Sequence, residues 1–92
     1  MLHIIKRPQQ LALIRRYLLD TDSIMLIEDA VYATSPHSRY FVDLAAIQQV
    51  YALREDLAAR GWLEQCATSI QPLTMEQFVE LTVSSLKSIS WS

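Results

Sequence analysis

One glycine and one cysteine are all that this 92-residue chain holds of two residue types on which many small proteins depend. A lone glycine excludes the glycine-rich loops that cradle phosphates, because such loops need several positions where backbone can approach a ligand closely. A lone cysteine, Cys66, excludes an internal disulfide and agrees with a reducing compartment. No apolar run approaches the roughly 20 residues that span a bilayer. The opening "MLHIIKR" lacks the pattern of an early basic segment, a long apolar stretch and a small-residue cleavage site. The expectation is a cytoplasmic protein without a membrane role. Charge of one sign is also missing: eight basic residues face ten acidic ones, and the net charge is −2. That balance argues against a nucleic-acid footprint and gives the pairs Lys6-Arg7 and Arg15-Arg16 to a solvated face.

What is present is apolar residue, at 51% of the chain, a high share for one small domain. The excess implies that part of the apolar surface is covered by another subunit. Four short apolar runs alternate with helical patterns. "LHIIK" (2–6) is followed by Pro8, suited to a first helical turn because its missing N–H has no partner there. "QLALIRRYLL" then sets Leu11, Ile14 and Leu18 at helical spacing, with Leu13 and Tyr17 widening the stripe. "SIMLI" (23–27) is apolar at four successive positions, the mark of an interior parallel strand. "QQVYAL" (48–53) is the third run. "TSIQPL" (68–73), with Pro72 near its end, suits an edge or a strand terminus. Asp29 is placed to cap a helical turn at "AVYA", "TSPHS" reads as a loop, and Tyr40–Ile47 is open between helix and extended chain.

Helix-end chemistry is well developed in two places. In "VYALREDLAARGW" (50–62), Glu55 and Asp56 stand where the helix dipole favours negative charge, and Arg60 where it favours positive. Gly61 can adopt the left-handed conformation that ends a helix, letting Trp62 fold back on Leu57. In the last helix, Thr74 and Gln77 form a capping box, and Leu73 and Phe78 a hydrophobic staple. Phe78, Val79, Thr82, Val83 and Leu86 then form one face. The tail "SISWS" either docks through Ile89 and Trp91 or adds a short strand. Strand and helix in alternation predict an α/β fold: a single-domain layer sandwich over residues 1–92, with a mostly parallel sheet of four to five strands and helices on both faces. Ligand sites in such folds lie beyond the carboxyl ends of the strands.

No catalytic constellation stands out. Adjacent residues on a helix diverge by about 100°, so Glu55 and Asp56 do not converge on a substrate. His3, His37 and Cys66 lack metal-ligand spacing, and neither histidine has a sequence-local catalytic partner. Cys66 has no basic neighbour in sequence to stabilise a thiolate, and Glu64 acts against one. It reads as a packing residue, with a persulfide carrier as the reactive alternative. No catalytic, cofactor or metal residue is expected.

Taken in order, "MLH", "IMLIEDAVYA", "VYALREDLAARG", "FVELTV" and a tryptophan beside the carboxyl end resemble the DsrH/TusB family of small sulfur-relay subunits. The resemblance runs over nearly the whole chain. It implies a DsrEFH-like fold and a place beside two homologous small subunits in a hetero-hexamer made of two three-subunit units. That assembly would pass persulfide sulfur for 2-thiolation of the tRNA wobble uridine, or serve dissimilatory sulfur oxidation in the other branch. Any contact with tRNA is then indirect. Some sulfur-oxidising members carry a cysteine in the first helix; residues 9–19 here hold none, and Ile14 occupies its middle. The resemblance thus implies a non-catalytic assembly subunit, self-associating when isolated. The apolar second strand ends at "EDAVYA", which makes Asp29, Val31 and Tyr32 the candidate subunit-interface residues, with Val31 and Tyr32 equally open to a place in the core.

Overall fold

Ser23, Ile24, Met25 and Leu26 are all buried, so the strand they form must be covered on both faces and flanked on both sides. A computed structural model describes residues 1–91 and shows how this is met. Strands β1 (Leu2–Ile5), β2 (Ser23–Leu26), β3 (Val50–Leu53), β4 (Gln71–Leu73) and β5 (Ser88–Trp91) form one sheet in the order β4-β3-β2-β1-β5, and every neighbouring pair is parallel. Three α-helices accompany them: α1 (Leu11–Ile14), α2 (Arg54–Ala59) and α3 (Met75–Ser84). This is the single-domain α/β sandwich expected, with helices on both faces.

The two faces are unequal. On one, Ile5, Ile24, Leu26, Val50 and Ala52 pack with Leu11 and Ile14 of α1, Leu57 of α2, and Ala30, Val31 and Ala33 of a 3₁₀ segment (Glu28–Thr34). On the other, Leu2, Met25, Leu53 and Leu73 are covered by Phe78 and Leu81 of α3. α3 connects β4 at one edge to β5 at the other, so it crosses this second face alone.

Local expectations hold where the chemistry is local. Thr74 Oγ1 accepts from the Gln77 N–H at 3.2 Å, and Gln77 Oε1 from the Thr74 N–H at 2.9 Å, completing the capping box. Gly61 has φ 65°, with bonds from its N–H to Ala58 O and from the Trp62 N–H to Leu57 O, the Schellman pair. β4, carrying Pro72, is an edge strand.

Four expectations are corrected. α1 stops at Ile14, and the bonds Arg16 N–H to Leu13 O and Tyr17 N–H to Ile14 O tighten the chain into a turn. Leu13 and Tyr17 are therefore exposed instead of widening the buried stripe. In α3 the inward side is Phe78 and Leu81, while Val79, Val83 and Leu86 point outward. Asp29 does not cap a helical turn; the 3₁₀ segment starts after Ile27 without a side-chain cap. Of the two uncertain spans, 40–47 holds a short 3₁₀ turn (Phe41–Asp43), and the tail forms β5.

β5 is hooked to the sheet by a buried polar chain. Trp91 Nε1–H donates to His3 Nδ1 at 3.1 Å, and the two rings stack with centroids 6.1 Å apart. An indole N–H only donates, so Nδ1 is the unprotonated nitrogen and Nε2 carries the proton toward Asp22 Oδ2, 3.1 Å away. Asp22 also accepts from the Leu19 N–H at 3.1 Å and from the Met1 ammonium at 3.0 Å. Burial would raise its carboxyl pKa, but the Leu19 N–H, the Met1 ammonium and His3 outweigh that and lower it from 3.8 to about 2.

Two predictions follow from these geometries. A depressed carboxyl stabilises the fold fully above its ordinary value of 3.8, and this contribution is lost as pH falls through about 2. Urea midpoints should fall across that window, and Asp22→Asn should lower the midpoint at neutral pH and flatten the acid limb. At Gly61 an added Cβ meets nothing within 4 Å, so Gly61→Ala carries only backbone strain. Denaturant titration should give a loss of about 1 kcal/mol.

Candidate interaction site

The carboxyl ends of β1 and β2 open onto a charged cleft. β1 runs on into Lys6 and Arg7, and β2 into Ile27, Glu28 and Asp29. Glu28 has φ 51°, the one described non-glycine residue in the left-handed region. Its N–H is held at 2.7 Å by Asp56 Oδ2 from α2, which offsets the local cost of that conformation. The next donor is shared: the Ala30 N–H lies 3.0 Å from Ile27 O and 3.1 Å from Lys6 O, pinning the start of the 3₁₀ segment to the end of β1. Arg60, at the end of α2, reaches back to Asp29 Oδ1 at 3.2 Å and lies 3.6 Å from Asp56. Lys6, Arg7, Glu28, Asp29 and Arg60 line a cleft of about 280 Å³.

Of the residues expected at an interface, the structure exposes two and buries one. Asp29 and Tyr32 reach the surface; Val31 is wholly buried in the larger core cluster, where it can only pack inside this chain. Tyr32 stands edge-on to Trp62, ring centroids 5.3 Å apart. Asp29, Tyr32 and the Trp62 ring thus share one flank of the molecule, fixed by the Schellman ending that places Trp62. The set offers exposed charge of both signs beside an aromatic edge.

The reactive alternative finds little support in the geometry of Cys66. Its half-buried thiol has the Ala67 carbonyl at 3.6 Å and the Ile70 carbonyl at 4.0 Å. Burial pushes its pKa up, against a weaker opposing effect from a hydrogen bond with Thr34. A thiol pushed up stays protonated and is a poor nucleophile near neutral pH. Among the described residues no hydrogen bond or ion pair joins Cys66 to a histidine, and no group of His, Cys, Asp and Glu could hold a metal ion. His37 is exposed on its loop, its N–H donating to Ser35 Oγ.

Sequence reasoning missed two features. One is the pairing of charges across the fold: Arg60 with Asp29, and Arg15 Nη1 with Asp43 Oδ1 at 3.1 Å, beside a second cleft of about 320 Å³. The other is the apolar outer side of α3. No residue of this helix is buried. Met75 is 50% exposed, Val79 53% and Val83 80%, and Leu86 beyond its end is wholly exposed. The spacing 75, 79, 83 keeps these three on one side of the helix. The signal was in the sequence, since this helix is apolar on two sides, but periodicity alone does not say which side meets its own sheet.

Among known proteins, Protein TusB of Shigella dysenteriae serotype 1 and Protein TusB of Escherichia fergusonii are each 38% identical over 95 aligned residues, covering 99% of this chain and all of theirs. The crystal structure of the ychN protein from E. coli matches with a TM-score of 0.72, covering 98% of this chain and 97% of that one. At 15% identity this likeness speaks for the fold alone. No helix among the described residues is long and apolar enough to cross a membrane. The family described as DsrH like protein matches residues 7–88, and with that span and the full-length likeness to TusB, the chain belongs to the DsrH family.

Proposed function

We propose that this chain is a non-catalytic assembly subunit of a cytoplasmic sulfur-relay complex. It stands beside two homologous small subunits and helps pass persulfide sulfur toward 2-thiolation of the tRNA wobble uridine. The observation that carries this reading is α3: a ten-residue helix with no buried residue and an outward stripe of Met75, Val79 and Val83, with Leu86 exposed just past its end. Contiguous exposed apolar side chains of that size are costly to leave in water and mark a surface that a partner covers. A subunit between two neighbours needs two contact surfaces. α3 supplies one on one face of the sheet; Asp29 and Tyr32, with the charged cleft, supply the other across it. The protonated, half-buried Cys66 thiol supports placing the sulfur-bearing cysteine on a partner.

The test is co-purification with the two homologous subunits. The unmodified chain should be retained in a hexamer holding two copies of each. Val79→Glu with Val83→Glu should abolish retention while changing the stability of the isolated chain by no more than about 0.5 kcal/mol, since both sites are exposed. Cys66→Ser should support wobble-uridine thiolation at the unmodified level in a strain lacking the native chain. Retention of the double variant would refute the α3 surface. Loss of thiolation in a folded Cys66→Ser protein would return the sulfur to this chain.

A further inference from the structure

The sheet has two edges, and they differ. β4 is three residues long with Pro72 at its centre, which lacks an N–H and blunts pairing. β5 has neither proline nor charge along Ser88–Trp91, and Ser88, Ile89 and Ser90 are exposed. Its register with β1 determines which backbone groups are free. The Leu2 N–H donates to Lys87 O at 2.9 Å, and Leu2 aligns with Ser88 and Ile4 with Ser90. In a parallel pair each aligned residue bonds the two residues flanking its opposite number, so Lys87, Ile89 and Trp91 face β1. Ser88 and Ser90 then turn their N–H and C=O groups to the open side.

We propose that this open edge pairs antiparallel with β5 of a second copy of the same chain. The register follows from the free groups. Among the described residues of β5 only Ser88 and Ser90 point these groups outward, and every one of them is satisfied when Ser88 meets Ser90 of the other copy and Ser90 meets its Ser88. Ile89 then faces its own counterpart on the two-fold axis, at a non-hydrogen-bonded position where Cα atoms come within about 4.5 Å. Lys87 lies opposite the second copy's Trp91, with the ammonium in reach of an indole face. Ile89 is 41% exposed, so apolar surface at the edge is covered by the same contact. The arrangement closes on itself: each copy has one open edge, and Pro72 at the other edge stops the sheet from growing. A second copy is favoured over an unrelated strand because the segment is uncharged and its free groups are self-complementary about that axis. This pairing is independent of the sulfur-relay reading, since it uses a different surface from the outer side of α3.

Sedimentation equilibrium of the isolated chain should give twice the 10.6 kDa chain mass. Ser90→Pro removes only an outward N–H, so the fold should keep its unfolding midpoint and near-UV spectrum while the mass falls to that of one chain. In a Cys66→Ser background, Ile89→Cys should form a disulfide-linked dimer under mild oxidation, its Cα spacing falling within the range a disulfide bridges. Ser88→Cys and Ser90→Cys, each alone, should not. A chain that stays monomeric at every concentration overturns the proposal. So does a folded Ser90→Pro protein that still dimerises. Should Ser90→Pro unfold, the cross-linking decides: absence of a selective link at position 89 refutes the register and the interface with it.

Discussion

Burial of β2 on both faces is the constraint from which the rest of the molecule follows. Ile24 and Leu26 look one way and Met25 the other, and all three are fully buried. A strand of this kind cannot sit at an edge or leave a face open, because its alternate side chains would return to water at about 25 cal/mol per Å². It needs β1 and β3 beside it and a layer above and below. With 92 residues, the first layer takes α1, α2 and the 3₁₀ segments, and one helix remains for the second. α3 must therefore lie across a whole sheet face with only Phe78 and Leu81 to cover it. The economy on that face leaves β5 uncovered and the outer side of α3 in water.

Much of this was legible from residues whose partners lie nearby in sequence. The capping box of Thr74 and Gln77 spans one helical turn, and the Schellman ending at Gly61 spans six residues. The interior character of β2 was readable from four apolar residues in a row, and the edge position of β4 from Pro72. What escaped was set by distance. His3 is satisfied by Asp22 and Trp91, 19 and 88 positions away, and no local pattern announces either bond. Arg60 meets Asp29 across 31 positions. The tail could not be read as strand or docking segment because β1, which decides it, lies at the other end of the chain. Val31 was open between interface and core: it follows two exposed acids, yet the tight 3₁₀ path turns it into the core.

The chemistry of the site is constrained by the same accounting. A sulfur carrier needs a thiolate that is accessible and stabilised by positive charge or backbone N–H groups. Cys66 has carbonyl oxygens at 3.6 and 4.0 Å and a burial that favours the neutral thiol. Three basic residues, Lys6, Arg7 and Arg60, gather at the carboxyl ends of β1 and β2, and the residues lining that cleft do not include Cys66. Charge and thiol are thus separated within one chain.

α3 shows how a helix can persist while offering its better apolar side outward. Isolated helices shorter than about 12 residues are marginal in water, so α3 cannot stand on propensity alone. Two half-buried side chains are a modest anchor, and the capping box adds about 1 kcal/mol at the N-terminus, where Leu73 and Phe78 also meet as a staple. At the other end the Ser85 N–H and Oγ both bond to Leu81 O, closing the last turn without help from the core. Local hydrogen bonds thus replace burial at both ends. A helix stabilised this way does not need Val79 and Val83 for its own fold, and their presence calls for an explanation outside the monomer. Were these positions merely neutral surface, polar helix formers would serve as well, since a solvent-facing side gains nothing from β-branched valine, which lowers helix propensity.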